Sequence, residues 1–487
     1  MTSCCSATPR PQNRASDGHD ALRSLPVAII GGGPVGLAAA AHLLERGLEP
    51  VILEAGRSVG TAPLAWGHVP MFSPWRYNID RAAQTLLERH GWTAPDADGF
   101  PTGRELAEDY LAPLAALPEI AGRLRLNMRV TGVARQRVSK VRDAGRGEQP
   151  FEVRFQADGR EGRLLARAVI VATGTWGNPS PAGASGLPAF GEREAADRIR
   201  HGMPDVLGAE RGRYAGKRVL VVGSGHSAIG TLIDLASLAA QAPGTAVLWA
   251  ARTADQARAY GGGAADQLPE RGALGQRLRH LVTSGAVELL APFSVDEVRR
   301  GADGSLQVMG LEGWAVEVDQ MVVATGLRPD LGILAEVRMD LDPALECPRV
   351  LAQLIDPNLH SCGTVRPHGA FELQQPDSGL FLAGMASYGR APTFLLATGH
   401  EQVRCIAAFL AGDLEAARRV ELELPETGVC SGSRALPGAA GSEAPSPCCA
   451  PPVLQVACCG PKPELVKETT CCGAGTNRAT APAEPAE

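Results

Sequence analysis

The sequence predicts an α/β protein built on parallel sheets, and three observations carry that expectation. Short β-branched runs alternate with Ala/Leu-rich helical patterns from residue 25 to residue 425. A glycine-rich turn between such a run and such a helix occurs twice, once at residue 31 and once at residue 223. Aromatic residues make up only 4% of the chain while glycines number 57. That balance suits Ala/Gly-rich α/β packing better than an all-β domain.

Length, charge and cysteine placement narrow the class. A chain of 487 residues suggests two or three domains. The net charge of −6 gives no reason to expect nucleic acid or an anionic membrane as partner. The start, MTSCCSATPRPQNR, carries no apolar run, and no later stretch approaches a membrane span. A soluble, cytoplasmic protein is expected. Of 12 cysteines, only Cys347, Cys362 and Cys405 lie between residues 25 and 425. A secreted disulfide scaffold would instead spread spaced cysteines through a small domain.

Taken in order, residues 1–24 read as a disordered polar arm. PVAII (26–30) is a buried strand, GGGPVG (31–36) a turn, LAAAAHLLERG (37–47) a helix and PVILEAG (50–56) a second strand. This places G-x-G-x-x-G at Gly31, Gly33 and Gly36 in the setting that gives the motif meaning. Gly31 permits the tight turn, Gly33 the approach of a pyrophosphate, and Gly36 close helix–strand packing. The phosphates would lie at the helix N-terminus, and Glu54 would accept hydrogen bonds from ribose hydroxyls.

The second copy is GKRVLVVGSGHSAIGTLIDLASLA (216–239), followed by AVLWAAR (246–252). Its motif residues are Gly223, Gly225 and Ala228. Its second strand ends in Arg252, a cation suited to the 2′-phosphate of NADPH. Two such sites in one chain suggest FAD in the first and NADPH in the second. AVIVATGTWGNP (168–179) and MVVATGLRPD (321–330) each run a buried strand into Ala-Thr-Gly. These segments, with Thr173, Gly174 and Gly326, are expected where backbone crosses between domains or beside a cofactor. Strand Leu380–Ala383 leads to Gly384, and a long helix is expected to begin near Pro392. Arg390 and Thr393 bracket that start, and its dipole would favour anionic reduced flavin.

Together these motifs predict two Rossmann-like dinucleotide-binding domains. The expected order is arm (1–24), FAD domain first half (25–195), NADPH domain (196–320), FAD domain second half (321–425) and tail (426–487). The tail lacks aromatics, is rich in Pro, Ala and Gly, and reads as disordered. It holds Cys448, Cys449, Cys458, Cys459, Cys471 and Cys472 as three adjacent pairs; Cys4 and Cys5 make a fourth. Adjacent cysteines make strained disulfides, and no C-x2-C zinc spacing occurs. Flexible thiol pairs suit a soft thiophile such as trivalent arsenic or Cu(I). A compositionally biased extension is the plainer alternative. His360, Cys362 and His368 form a further loop cluster with weak metal-ligand spacing.

Residues 25–425 resemble the flavin-containing monooxygenase family, and within it the bacterial flavoprotein monooxygenases of arsenic-resistance gene clusters. The resemblance rests on WGHVPMFSPWRYNID (66–80), PTGRELAEDYLAPLA (101–115), YAGKRVLVVGSGHSA (214–228), HSCGTVRPHG (360–369) and SYGRAPTFLLATGHEQVR (387–404). It implies that NADPH passes hydride to FAD and that reduced flavin activates oxygen for transfer to a soft nucleophile. It places His201 as the family histidine, although Ala195, Asp197 and Asp205 replace other fingerprint residues. At 385 the family's ribityl-binding Asp is Met385. His201, Trp66 and Arg390 are the expected catalytic residues, with His68, Phe72, Trp75 and Arg76 as softer candidates near the flavin. Two other functions stay open: an NADPH-dependent thiol or disulfide reductase using a tail pair, and a metalloid-binding protein on a flavoprotein scaffold.

Overall fold

The computed structural model describes residues 22–261, 269–359, 368–391 and 394–422. Ten strands in this part of the chain form two five-stranded parallel sheets. In chain order they are β1 (Val27–Ile30), β2 (Pro50–Leu53), β3 (Leu124–Arg125), β4 (Ala168–Val171), β5 (Ile199–His201), β6 (Arg218–Val222), β7 (Ala246–Ala250), β8 (Glu288–Leu290), β9 (Gln320–Val323) and β10 (Leu380–Leu382).

The first sheet has the order β10-β4-β1-β2-β3. Its central strands are buried on both faces, as parallel strands covered by helices must be. Helix α1 (Pro34–Glu45) lies against it, with every residue from Val35 to Leu43 buried. Its run of alanines supplies little bulk, which lets the helix backbone approach the strands closely. Helix α2 (Arg81–Arg89) packs beside α1 and is capped by Asp80, whose carboxylate accepts the Ala83 amide at 2.9 Å. An antiparallel meander of residues 129–135, 151–157 and 160–166 completes this side.

The second sheet has the order β8-β7-β6-β9-β5. Helix α3 (His226–Gln241) covers one face, and a meander of residues 295–300, 306–310 and 315–318 packs on the other. Helix α4 (Leu396–Leu410) returns the chain to the first sheet and runs along α1.

Strand pairing groups two segments differently from their motif order. β9 was placed at the start of the second FAD half, yet it is an internal strand of the second sheet, between β6 and β5. Ala182, Ala189 and Ala195, placed in the first FAD half, pack in the second sheet's core with Leu220 and Val323. Residues 182–195 and β9 therefore pack with the second sheet. Each Ala-Thr-Gly crossover follows a strand, and strand pairing decides ownership, which one-dimensional motif spacing does not report. The last long helix begins at Leu396, not near Pro392. Among the described residues no helix is long and apolar enough to cross a membrane.

Candidate functional site

The two glycine turns divide their labour as the motif requires. Gly31 has φ +111°, and a Cβ there would lie 2.5 Å from the Ala172 carbonyl oxygen. A Cβ on Gly36 would lie 1.9 Å from the Gly31 carbonyl oxygen. At Gly33 a Cβ would meet nothing within 4 Å. Gly31 and Gly36 are thus closed by protein, while Gly33 is open to a ligand. Gly33 is also the N-cap of α1 and offers no side-chain cap, so the first-turn amides are left for an anion. Glu54 sits at the same place. Its carboxylate accepts the Gly32 amide at 2.6 Å and the Gly56 amide at 2.7 Å, which pins the end of β2 against the turn.

The second turn repeats this pattern. Gly223 has φ +129°, and a Cβ there would lie 2.2 Å from the Ala324 carbonyl oxygen. Gly225 is open, and Ala228 is fully buried in the contact of α3 with the sheet. The Trp249 indole donates to the Gly223 carbonyl at 2.7 Å and braces the turn from β7. Arg252 lies exposed beyond β7 and makes no ion pair among the described residues. An open glycine turn with a cation two residues past the strand, unpaired among the described residues, is the arrangement a phosphorylated dinucleotide would need.

Each Ala-Thr-Gly segment lies over the first glycine of its own turn: Ala172 over Gly31, and Ala324 over Gly223. The crossovers that follow them pair with each other. The Ser180 amide donates to the Gly326 carbonyl at 2.9 Å, and Thr325 Oγ1 donates to the Ser180 carbonyl at 2.8 Å. The Arg328 amide donates to the Asn178 carbonyl at 3.1 Å. The outgoing and returning chains therefore form one two-stranded joint between the domains. Thr325 was not singled out from the sequence, and its hydroxyl is what ties this joint. Thr173 is exposed beside the first turn.

A third turn closes the first site. Gly384 has φ +65°, and its amide donates to Gln402 Oε1 at 2.7 Å. The Gln402 amide nitrogen reaches Ser387 Oγ at 3.0 Å and His368 Nε2 at 2.7 Å. Ser387 Oγ donates back to the Gly384 carbonyl at 2.7 Å. With no acid at Met385, Gln402 from α4 braces the turn from behind. A Cβ on Gly399 would lie 2.7 Å from a Val35 methyl, so α4 crosses close to the start of α1.

The three expected catalytic residues are not gathered in one place. His201 ends β5 in the second sheet, 3.3 Å from Glu192. Trp66 packs in the first domain, its ring against the backbone of Gly103, where glycine leaves it room. Arg390 pairs with Glu346 at 2.9 Å, six residues before α4 begins. Trp66 and Arg390 are thus engaged by packing and by an ion pair. The segment holding His68, Phe72, Trp75 and Arg76 does reach the second turn: the Phe72 and His226 rings stand 5.3 Å apart. Trp75 is buried in the core, and Arg76 pairs with Asp98. Thr393, His360, Cys362 and the tail cysteines, Cys448, Cys449, Cys458, Cys459, Cys471 and Cys472, lie outside the described residues. No metal-ligating cluster occurs among those described.

A buried charged cluster behind the first turn had no sequence signal. His42 Nε2 of α1 lies 2.9 Å from Asp80 Oδ2, both nearly inaccessible. Burial works against charge on both groups. The pairing outweighs it, raising His42 to about 9 and lowering Asp80 to about 2. His400 of α4 is buried nearby, and burial lowers it to about 4.

Comparison with known proteins follows the same lines. Residues 28–348 match the pyridine nucleotide-disulphide oxidoreductase family. The chain is 27% identical to a ferredoxin–NADP reductase of Gluconobacter oxydans (strain 621H), over 63% of this chain and 74% of that protein. It is 31% identical to an indole-3-pyruvate monooxygenase of Oryza sativa subsp. japonica, over 42% of this chain and 44% of that protein. The fold matches a bacillithiol disulfide reductase from Bacillus cereus with a TM-score of 0.58 at 20% identity, covering 80% of this chain and 99% of that one.

Proposed function

The chain belongs to the pyridine nucleotide-disulphide oxidoreductase family, and from that premise we propose that it is an FAD-dependent monooxygenase driven by NADPH. Its class is that of FAD-dependent oxidoreductases. The first turn, α1 and Glu54 would hold FAD; the second turn, α3 and Arg252 would hold NADPH. Bound there, the two cofactors supply hydride transfer and oxygen activation. The protein's part is orientation. The amides of α1 and α3 would hold the phosphates and Glu54 a ribose, while Gln402 fixes the turn at Gly384. The paired crossovers set how the two nucleotide sites face each other.

The likeness to an indole-3-pyruvate monooxygenase supports the oxygenation reading, and the cysteines among the described residues offer no ready redox thiol. Cys347 and Cys405 are both buried, and burial raises each thiol to about 12. Neither presents a thiolate to a disulfide, so a reductase would have to draw on Cys362 or a tail pair, which lie outside the described residues. The acceptor is a soft nucleophile. The tail thiol pairs suit capture of a metalloid such as trivalent arsenic, which links the activity to metalloid detoxification.

The purified protein is expected to be yellow and to consume oxygen with NADPH. Arsenite should stimulate that uptake in the full chain more than in a chain ending at residue 425. A colourless protein without NADPH-dependent oxygen uptake would overturn the reading. Arg252→Glu should reduce the preference for NADPH over NADH by about tenfold or more in kcat/KM, because it replaces a charge-assisted contact with repulsion. An unchanged ratio would place the 2′-phosphate elsewhere.

A further inference from the structure

The turn after β10 is held by a closed set of hydrogen bonds, and counting donors and acceptors in that set singles out His368. Gly384, Ser387, Gln402 and His368 are all buried. The Gly384 amide can only donate, so the Gln402 atom facing it at 2.7 Å is the oxygen. The other end of that side chain is then the NH2 group, with two hydrogens to place. One goes to Ser387 Oγ at 3.0 Å, whose own hydrogen is committed to the Gly384 carbonyl at 2.7 Å. The other goes to His368 Nε2 at 2.7 Å. Nε2 is therefore an acceptor, and this imidazole carries its proton on Nδ1. Of the two acceptors that hold the Gln402 NH2 group, His368 is the one outside the turn.

His368 meets the turn a second time. Its ring centroid lies 5.6 Å from that of Tyr388, the last residue of the turn. The turn itself stands at the first dinucleotide site. It follows the carboxyl end of β10, where ligands of open parallel sheets bind. A Cβ on Gly384 would lie 3.1 Å from a Val35 methyl, in the first turn of α1. Met385, the one residue of 384–388 that is not buried, offers no hydroxyl, amide or carboxylate side chain. What the turn presents to a ligand is thus backbone, and the direction of that backbone depends on the φ of +65° at Gly384.

We propose that His368 is a positioning residue for FAD. By accepting from Gln402 it locks the side chain that fixes the Gly384 turn, and so fixes the backbone beside the FAD site. The inference rests on FAD occupying the first dinucleotide site. A buried N–H that loses its acceptor leaves the amide free to rotate or to draw in water, and the turn loosens with it. His368 itself needs no contact with the cofactor, because it acts through Gln402.

The test uses the full-length protein and reads two rates: release of FAD, and hydrogen exchange of the Gly384 amide, followed in the peptide that contains it. His368→Leu removes the acceptor and should speed both by roughly tenfold, the effect of leaving one buried N–H unpaired. His368→Gln restores an acceptor oxygen at the reach of Nε2 and should return both close to the parent rates. Gln402→Leu should speed both further. Adding His368→Leu to it should change little, because the two residues act in series. Parent rates in His368→Leu would overturn the role. So would a His368→Gln protein that behaves as His368→Leu does, or two leucine substitutions whose effects multiply in the double variant. Amide exchange needs no flavin, so the two readings fail separately. A chain that binds no FAD would refute the proposed function, whereas exchange unchanged by His368→Leu would refute the hold of His368 on the turn.

Discussion

Replacing Gly36 with alanine is expected to give colourless, less stable protein. The new methyl would lie 1.9 Å from the Gly31 carbonyl oxygen, so α1 must move away from β1 or the turn must open. Overpacking of this kind costs about 1–3 kcal/mol, and it displaces the amides that would hold the FAD pyrophosphate. Gly33→Ala separates the two effects. Gly33 has φ −84°, which alanine adopts freely, and its Cβ would meet nothing within 4 Å. Its thermal midpoint should match the parent protein, yet its methyl occupies the space the pyrophosphate needs. Both variants should lose visible flavin absorbance, but only Gly36→Ala should unfold earlier. A Gly33→Ala protein that retained stoichiometric FAD would show that the phosphates lie elsewhere.

Asp80→Ala should cause the largest loss of stability without touching a cofactor contact. Asp80 caps α2 through the Ala83 amide, receives His42, and has its own amide bonded to the Tyr110 hydroxyl at 3.0 Å. Removing one partner of a buried ion pair costs about 3–5 kcal/mol, because the other charge is left in a poor solvent. The pH dependence follows from the direction of each shift. His42 rises from 6.5 to about 9, so its contribution is complete below pH 6.5 and is lost as pH rises through 9. Asp80 falls from 3.8 to about 2, so its contribution is complete above pH 3.8 and is lost as pH falls through 2. His400 is lowered to about 4, so acidification below pH 6.5 favours the unfolded chain, which protonates first. The cluster is therefore most stabilising near pH 6.5. Urea denaturation of the parent at pH 6.5 and 9 should show a decline that Asp80→Ala lacks; an identical decline in both would assign it to other groups.

The geometry of both glycine turns was legible because glycine requirements are local. Gly31, Gly36 and Gly223 are demanded by a carbonyl oxygen lying where a side chain would stand, whereas Gly33 and Gly225 face open space that a bound phosphate would fill. Such demands recur at set spacing and leave a readable motif. Glu54 was readable for the same reason, being the end of the strand beside the turn. The acid missing at Met385 was equally plain, but its structural counterpart, Gln402, was not. It comes from a helix 18 residues further on, and nothing in its neighbourhood marks it as a partner of Gly384.

The sequence by itself determined the fold class, the two glycine turns and which charged residue ends the strand beside each, because these follow from periodicity and from residues within about 30 positions of one another. Only the tertiary structure decided which sheet owns β9, that the two crossovers tie together through Thr325, and that Trp66 packs while His201 borders a cavity. It alone joined His42, Asp80 and His400. Those residues are separated by 38 and 320 positions in the chain, and the low dielectric that shifts their protons exists only once the helices have closed over them.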